Sequence, residues 1–264
     1  VKKPKLYILG DSFAANLFEK RWLNEGTAID LFKKDFESNY SVKLKWWTDY
    51  LGEWGGYEVI NLGFGGCCNE DIIYQFSEIG EYNPGDRIIV HWTNPMRFNL
   101  YQNKHVRTVN PDYLEHIKLD NAWMEHILDM FETRSILWNA EDGEKVRKFM
   151  RYLWDKHKEF NPIYFSVFPE NLLYMKNDPG FFEINLFLRP ECYITTESKN
   201  KYLDGHWGYV GNIRAALLFL YKLVYDDVHP NDLLNIMRYQ HTEDGFKQLS
   251  IYKKFIKKVG RSLI

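Results

Sequence analysis

The sequence predicts an α/β fold, a three-layer α/β/α sandwich in which helices cover both faces of about five mainly parallel strands, with a C-terminal helical extension. Two observations carry this expectation. Short apolar runs rich in β-branched and aromatic residues recur along the chain, each closed by Gly, Asn, Pro or Ser, as strands buried on both faces of a parallel sheet would be. Between them lie longer stretches whose apolar residues fall three and four apart, the spacing of a helix with one buried face. The length of 264 residues lies between one and two domains at roughly 150 residues each, and it suffices for one large core.

Taken in order, the first strand is expected at residues 6–9 (LYIL), running into Gly10 and a helix over 14–22. One or two helices follow within 30–54, then a second strand at 58–62 (EVINL) and an amphipathic helix over 70–79. The third strand is 87–92 (RIIVHW), and the polar segment 98–111 is expected to be a long loop near its end, where substrate contacts are usual. Helices are predicted over 113–137 and 141–160, a fourth strand at 163–168 (IYFSVF) and a weaker fifth at 192–195 (CYIT). A strongly apolar helix spans 209–225, and two smaller helices, 233–239 and 246–259, close the chain. Without an internal repeat or a linker, residues 1–225 read as one α/β domain, with 226–264 as the helical extension packed on it.

Composition narrows the function. Lys and Arg number 34 against 36 Asp and Glu, a net charge of −2, so no broad basic face is expected for nucleic acid or an anionic membrane. The longest apolar stretch, 215–220, is far below the roughly 20 residues of a membrane span. The apolar run before Gly10 is too short for a signal peptide. A soluble, cytoplasmic-type protein is expected. Cys67, Cys68 and Cys192 make neither a disulfide framework nor a Cys-x-x-Cys pair, and no histidines stand at ligand spacing, so neither a metal nor another cofactor is expected. His91, His105, His116, His126, His157 and His241 are assigned to the surface or to helix faces. Aromatic residues reach 17 %. Many must line the core; others are expected at a cleft, where flat rings suit sugar faces or acyl groups.

Four strand ends carry the reactive residues. The first opens into Gly10-Asp11-Ser12-Phe13; a serine there faces the crevice at the carboxyl edge of the sheet. Asp11 and Ser12 also suit a plain helix cap. The second ends in Gly63-Phe64-Gly65-Gly66, where bare backbone is free to approach a ligand and offer an N–H to an oxyanion. The spacing is not that of a phosphate cradle. The third ends in Trp92-Thr93-Asn94-Pro95, with Asn94 as a side-chain donor or a turn residue. Before the last long helix comes Asp204-Gly205-His206-Trp207, in which His206 would draw the proton from Ser12 and Asp204 would fix its tautomer.

In this order the blocks resemble the SGNH (GDSL-type) hydrolase family over roughly residues 5–222. The third block has Trp92-Thr93-Asn94-Pro95 where the family has Gly-x-Asn-Asp, and the last has Asp-x-His where Asp-x-x-His is usual. The resemblance implies a flavodoxin-like fold and a metal-free Ser–His–Asp esterase, with catalytic Ser12, His206 and Asp204. Its oxyanion hole would be formed by the Ser12 and Gly66 N–H groups and the Asn94 amide. Asp226 and His229 have the more usual spacing and form the alternative base pair, but they lie a whole helix later, so position favours Asp204 and His206. Trp92 and Trp207 flank the reacting groups and are expected to stack on substrate. The expected substrate is a small acyl ester, acetyl on an oligosaccharide or small molecule. The alternatives are an O-acyltransferase or a non-catalytic glycan-binding or structural module on the same scaffold.

Overall fold

Strand β1 (Lys5–Leu9) lies inside a parallel sheet and splits its side chains between two cores. Leu6 and Ile8 point to one face and Tyr7 and Leu9 to the other, the alternation a pleated strand imposes. A computed structural model describes residues 2–19, 25–94, 97–102, 105–109, 143–168, 171, 175–186, 188 and 190–224. In it β1 pairs with β2 (Glu58–Asn61) and with β3 (Arg87–His91), and β3 pairs with β6 (Ile163–Phe165). The strand order is β2-β1-β3-β6, all parallel.

Helices flank the sheet on both sides. Over one face lie α1 (Ala28–Tyr40), α2 (Trp47–Gly55) and α6 (Tyr209–Val224), which bring Phe32, Phe36, Trp47, Leu51, Leu217 and Phe219 against Leu6, Ile8, Ile89 and Phe165. Over the other lie α3 (Asn69–Gln75) and α4 (Gly143–His157), with Ile72, Met150 and Leu153 against Tyr7, Leu9, Val90 and Tyr164. Local chemistry sets the ends. The Thr27 side chain accepts the Asp30 N–H at the start of α1, and the Asp49 carboxylate takes the Trp46 N–H at the start of α2, in the manner of N-terminal caps. The three-layer α/β/α sandwich is thus as the sequence predicts, and the order places β1 and β3 at its switch point, where ligands bind in open α/β sheets. Among the described residues, no helix is long and apolar enough to cross a membrane.

Three expectations need correction. Residues 192–195 are not a strand: Pro190–Cys192 is a 3₁₀ turn and Ile194–Glu197 a short helix, α5. There the backbone closes local bonds, Tyr193 N–H to Pro190 and Glu197 N–H to Tyr193, and only a single bridge joins Tyr193 to Trp207. Residues 11–19 form turns in place of the start of a 14–22 helix. The segment expected as a polar loop is a hairpin, β4 (Phe98–Gln102) and β5 (His105–Val109), antiparallel with Gln102 opposite His105. Its polarity hid strand-forming Phe, Leu, Tyr, Val and Thr residues joined by a two-residue connection. The predicted helices over 113–137, 233–239 and 246–259 lie outside the described residues.

The step from β1 to the site depends on Gly10, whose φ is +140°. A Cβ there would stand 2.7 Å from both the Cβ and the carbonyl oxygen of His91 on β3. Gly10→Ala is therefore expected to destabilise the fold by about 2 kcal/mol or more, read from the urea midpoint; parental stability would show that β1 and β3 do not approach this closely.

Candidate active site

Beyond Gly10 the chain makes a turn clamped by side chains. The buried Gln75 amide accepts the Gly10 N–H at 2.7 Å and donates to the Gly10 carbonyl at 3.1 Å. Asp11 Oδ1 accepts the Phe13 N–H at 2.9 Å, and the Asp11 carbonyl accepts the Ala14 and Ala15 N–H groups at 3.0 and 2.8 Å. The indoles of Trp46 and Trp47 donate to the Phe13 carbonyl at 3.2 and 2.7 Å, and the Asn61 amide donates to the Ala14 carbonyl at 2.9 Å. Of residues 12 to 15, Ser12 alone keeps an N–H with no acceptor among the described residues.

The Ser12 hydroxyl meets His206 Nε2 at 2.8 Å, and His206 Nδ1 meets Asp204 Oδ1 at 2.7 Å. The same carboxylate oxygen accepts the His206 backbone N–H at 2.8 Å. Asp-x-His spacing makes this possible: the carboxylate closes a turn onto the amide two residues on while it holds the ring. With Nδ1–H directed at Asp204, Nε2 is the acceptor for the Ser12 proton. Burial acts to raise the Asp204 pKa, but the His206 ring and backbone N–H outweigh it and hold the carboxyl below its ordinary value. Ser12, His206 and Asp204 are all partly exposed, as a site open to substrate requires. The loop is anchored from behind by the segment predicted as a fifth strand. Thr195 Oγ1 donates to the Asp204 carbonyl and accepts the Asp204 N–H, and the Ile194 N–H donates to the His206 carbonyl.

The Gly65-Gly66 turn comes up beside the serine: a Cβ on Gly65 would lie 3.9 Å from Ser12 Cβ. Gly66 has φ +81° and its backbone is exposed, a conformation that favours glycine. Asn94 is buried one residue beyond Thr93, whose hydroxyl reaches Asp11. The three expected oxyanion donors thus sit on the ends of β1, β2 and β3 at one edge of the sheet.

A second cluster lies directly behind Ser12 and was not legible in the sequence. Asp11 is fully buried. Its Oδ1 accepts from His91 Nδ1 at 2.7 Å, and its Oδ2 accepts from Thr93 Oγ1 at 2.5 Å and Arg97 Nη1 at 2.8 Å. His91 Nε2 accepts the Val167 N–H at 3.3 Å, so Nδ1 carries the proton that His91 donates to Asp11. Burial alone would raise the Asp11 pKa; His91, Arg97 and Thr93 reverse this and hold the carboxyl well below the usual range. His91, assigned to the surface from sequence, is in the core because it ends β3, a strand buried on both faces.

The aromatic expectation also changes. Trp92 and Trp207 are 1 % and 0 % exposed, and neither ring is open for stacking on a substrate. Trp207 packs on Phe13, Trp47 and Phe165, and Trp92 packs near Tyr164. Each strand-end position that looked like a rim continues a buried strand or loop. The ring that touches the site is Phe13, 4.8 Å between centroids from His206 and 5.4 Å from His91. Asp226 and His229 lie outside the described residues. Comparison with protein-family models, with curated proteins and with solved structures finds no match.

Behind the base loop, the Glu197 carboxyl accepts the Tyr209 and Val210 N–H groups at the start of α6. Burial nevertheless pushes its pKa up to about 8 from an ordinary 4.5, outweighing those two bonds. The folded state therefore favours the neutral acid. The contribution of Glu197 to stability is full below pH 4.5 and is lost as the pH climbs towards 8, where the buried group must ionise. Glu197→Gln is expected to flatten that decline and to raise the melting temperature above the parent's at pH 9; identical pH profiles for the two proteins would contradict it.

Proposed function

We propose that the protein is a serine esterase that cleaves a small acyl ester through an acyl-enzyme. The observation that supports this is the unbroken relay from Ser12 Oγ to His206 Nε2 at 2.8 Å and from His206 Nδ1 to Asp204 at 2.7 Å. In this reading Ser12 Oγ attacks the ester carbonyl as its proton passes to His206 Nε2. The tetrahedral oxyanion rests on the Ser12 and Gly66 N–H groups and the Asn94 amide, and the imidazolium protonates the departing alcohol. Water, deprotonated by the same imidazole, then attacks the acyl-Ser12 carbonyl, releases the acid and returns the proton to Ser12.

An acetyl group carried on a saccharide remains the proposed substrate, although its support no longer comes from Trp92 or Trp207. It comes from a cavity of about 180 Å³ lined in part by the more exposed rings of Tyr40 and Tyr202 and by the Asp35 and Lys201 side chains; Phe32 and Phe36, also in its wall, belong to the core, and Ser12, Asp204 and His206 do not line it. Tyr202 stands two residues before Asp204 on the loop that carries the base. Flat rings beside polar groups are the surface a sugar ring requires.

Ser12→Ala and His206→Ala are each expected to lower kcat for a short nitrophenyl ester by about 10³-fold or more, with the fold retained by circular dichroism. Parental turnover in Ser12→Ala would remove the serine mechanism. On a panel of esters, acetyl and acetylated oligosaccharides are expected to exceed longer acyl chains in kcat/KM; a preference for chains of about eight carbons would contradict the small-acyl reading.

A further inference from the structure

Asp11 is a charge placed where a fold has no need of one. It is fully buried, and its ion-pair partner Arg97 is 8 % exposed. Removing both from water is costly, and their attraction repays it only with good geometry, so a pair of this kind contributes little to stability beyond what apolar packing would supply. The geometry here is directed at the nucleophile. Asp11 immediately precedes Ser12, and one of its carboxylate oxygens takes the Phe13 N–H while its own carbonyl takes those of Ala14 and Ala15. The turn therefore presents the Ser12 N–H alone towards an incoming oxyanion. The carboxylate cannot swing away, because His91, Thr93 and Arg97 hold it from β3 and the segment beyond it. Arg97 also donates to Thr93 Oγ1 at 2.7 Å, its guanidinium lies 5.4 Å from the Phe168 ring, and it is the residue before β4.

We propose that Asp11 is a positioning residue: as a fixed carboxylate it sets the orientation of the Ser12 turn and ties it, through Arg97, to the base of the β4–β5 hairpin. This rests on the esterase reading. Its consequence is a loss of turnover without a loss of substrate binding, since Asp11 acts through Ser12.

The test uses the double variant Asp11→Asn/Arg97→Met, which removes both buried charges together and so avoids stranding either one. It is compared with the parent in melting temperature, in kcat and KM for a short nitrophenyl ester, and in the rate of labelling by a fluorophosphonate serine probe. The expected result is a fold close to the parent's in stability, with kcat and labelling rate both lower by about 30-fold and KM within about twofold. Recovery of parental kcat and labelling rate in the double variant would mean that the pair serves stability alone, and would overturn the proposal while leaving the esterase reading intact. A parent that neither turns over the ester nor takes the label would overturn the esterase reading and this proposal with it. Should the double variant not fold, Thr93→Val takes its place, since it deletes one hydrogen bond to Asp11 and keeps the ion pair. A kcat lower by about threefold or more at unchanged KM supports the proposal, and an unchanged kcat overturns it.

Discussion

The turn over residues 10–15 has no helix to hold it, and the site depends on the side chains that hold it instead. Four of its backbone groups are taken by side chains from other elements: Gln75 of α3 on both sides of Gly10, Trp46 and Trp47 at the α2 start on the Phe13 carbonyl, and Asn61 of β2 on the Ala14 carbonyl. A regular helix would satisfy these groups internally; a turn that leaves them to side chains is fixed by the whole sheet and both helical layers. The result is a serine whose hydroxyl meets His206 and whose N–H has no acceptor among the described residues, the preorganisation that the proposed nucleophile needs.

The same economy of partners joins the Ser12 turn to the loop that carries His206. Trp47 Nε1–H donates to the Phe13 carbonyl, its own backbone N–H donates to Asn212 Oδ1, and the Asn212 amide donates in turn to the Trp207 carbonyl. One chain of buried hydrogen bonds thus runs from the Ser12 turn through α2 and α6 to the loop that carries His206. Phe13 closes the circuit by packing on His206 and Trp207. Much of the unusual aromatic content is explained here. Trp46, Trp47 and Trp207 are fully buried, and two of them donate indole hydrogen bonds to the turn, combining large buried area with a polar handle in one side chain.

Fold and relay were legible because both rest on local signals. The runs 6–9, 58–62, 87–92 and 163–168 mark the strands of the parallel sheet: β1, β3 and β6 are largely buried, which favours apolar residues, while the edge strand β2 is partly exposed. Ser12 lies just past β1, and Asp204 and His206 lie in the loop just before α6, where the sequence marks the helix start, and they meet at hydrogen-bond distance. What escaped depends on distant partners. Among the described residues, 11–19 form turns where the sequence predicts a helix, held by Trp46, Trp47, Asn61 and Gln75, which stand 33 to 65 residues from the groups they bind. The Asp11 cluster assembles residues 80 to 86 positions apart, so Asp11 looked like a cap and His91 like a surface residue. Segment 192–195 carries strand-like residues yet spends its hydrogen bonds on the base loop, a tertiary demand that propensity does not contain.

The central claim is that Ser12 is the group that becomes acylated. Rapid mixing of the protein with excess nitrophenyl acetate, followed by acid quench and peptide mass analysis, tests it most directly. A burst of nitrophenol close to one equivalent per chain is expected, with an acetyl group on the peptide that contains Ser12. A burst whose acetyl group lies on another residue, or steady turnover with Ser12 unmodified at every time point and after acid trapping, would contradict it.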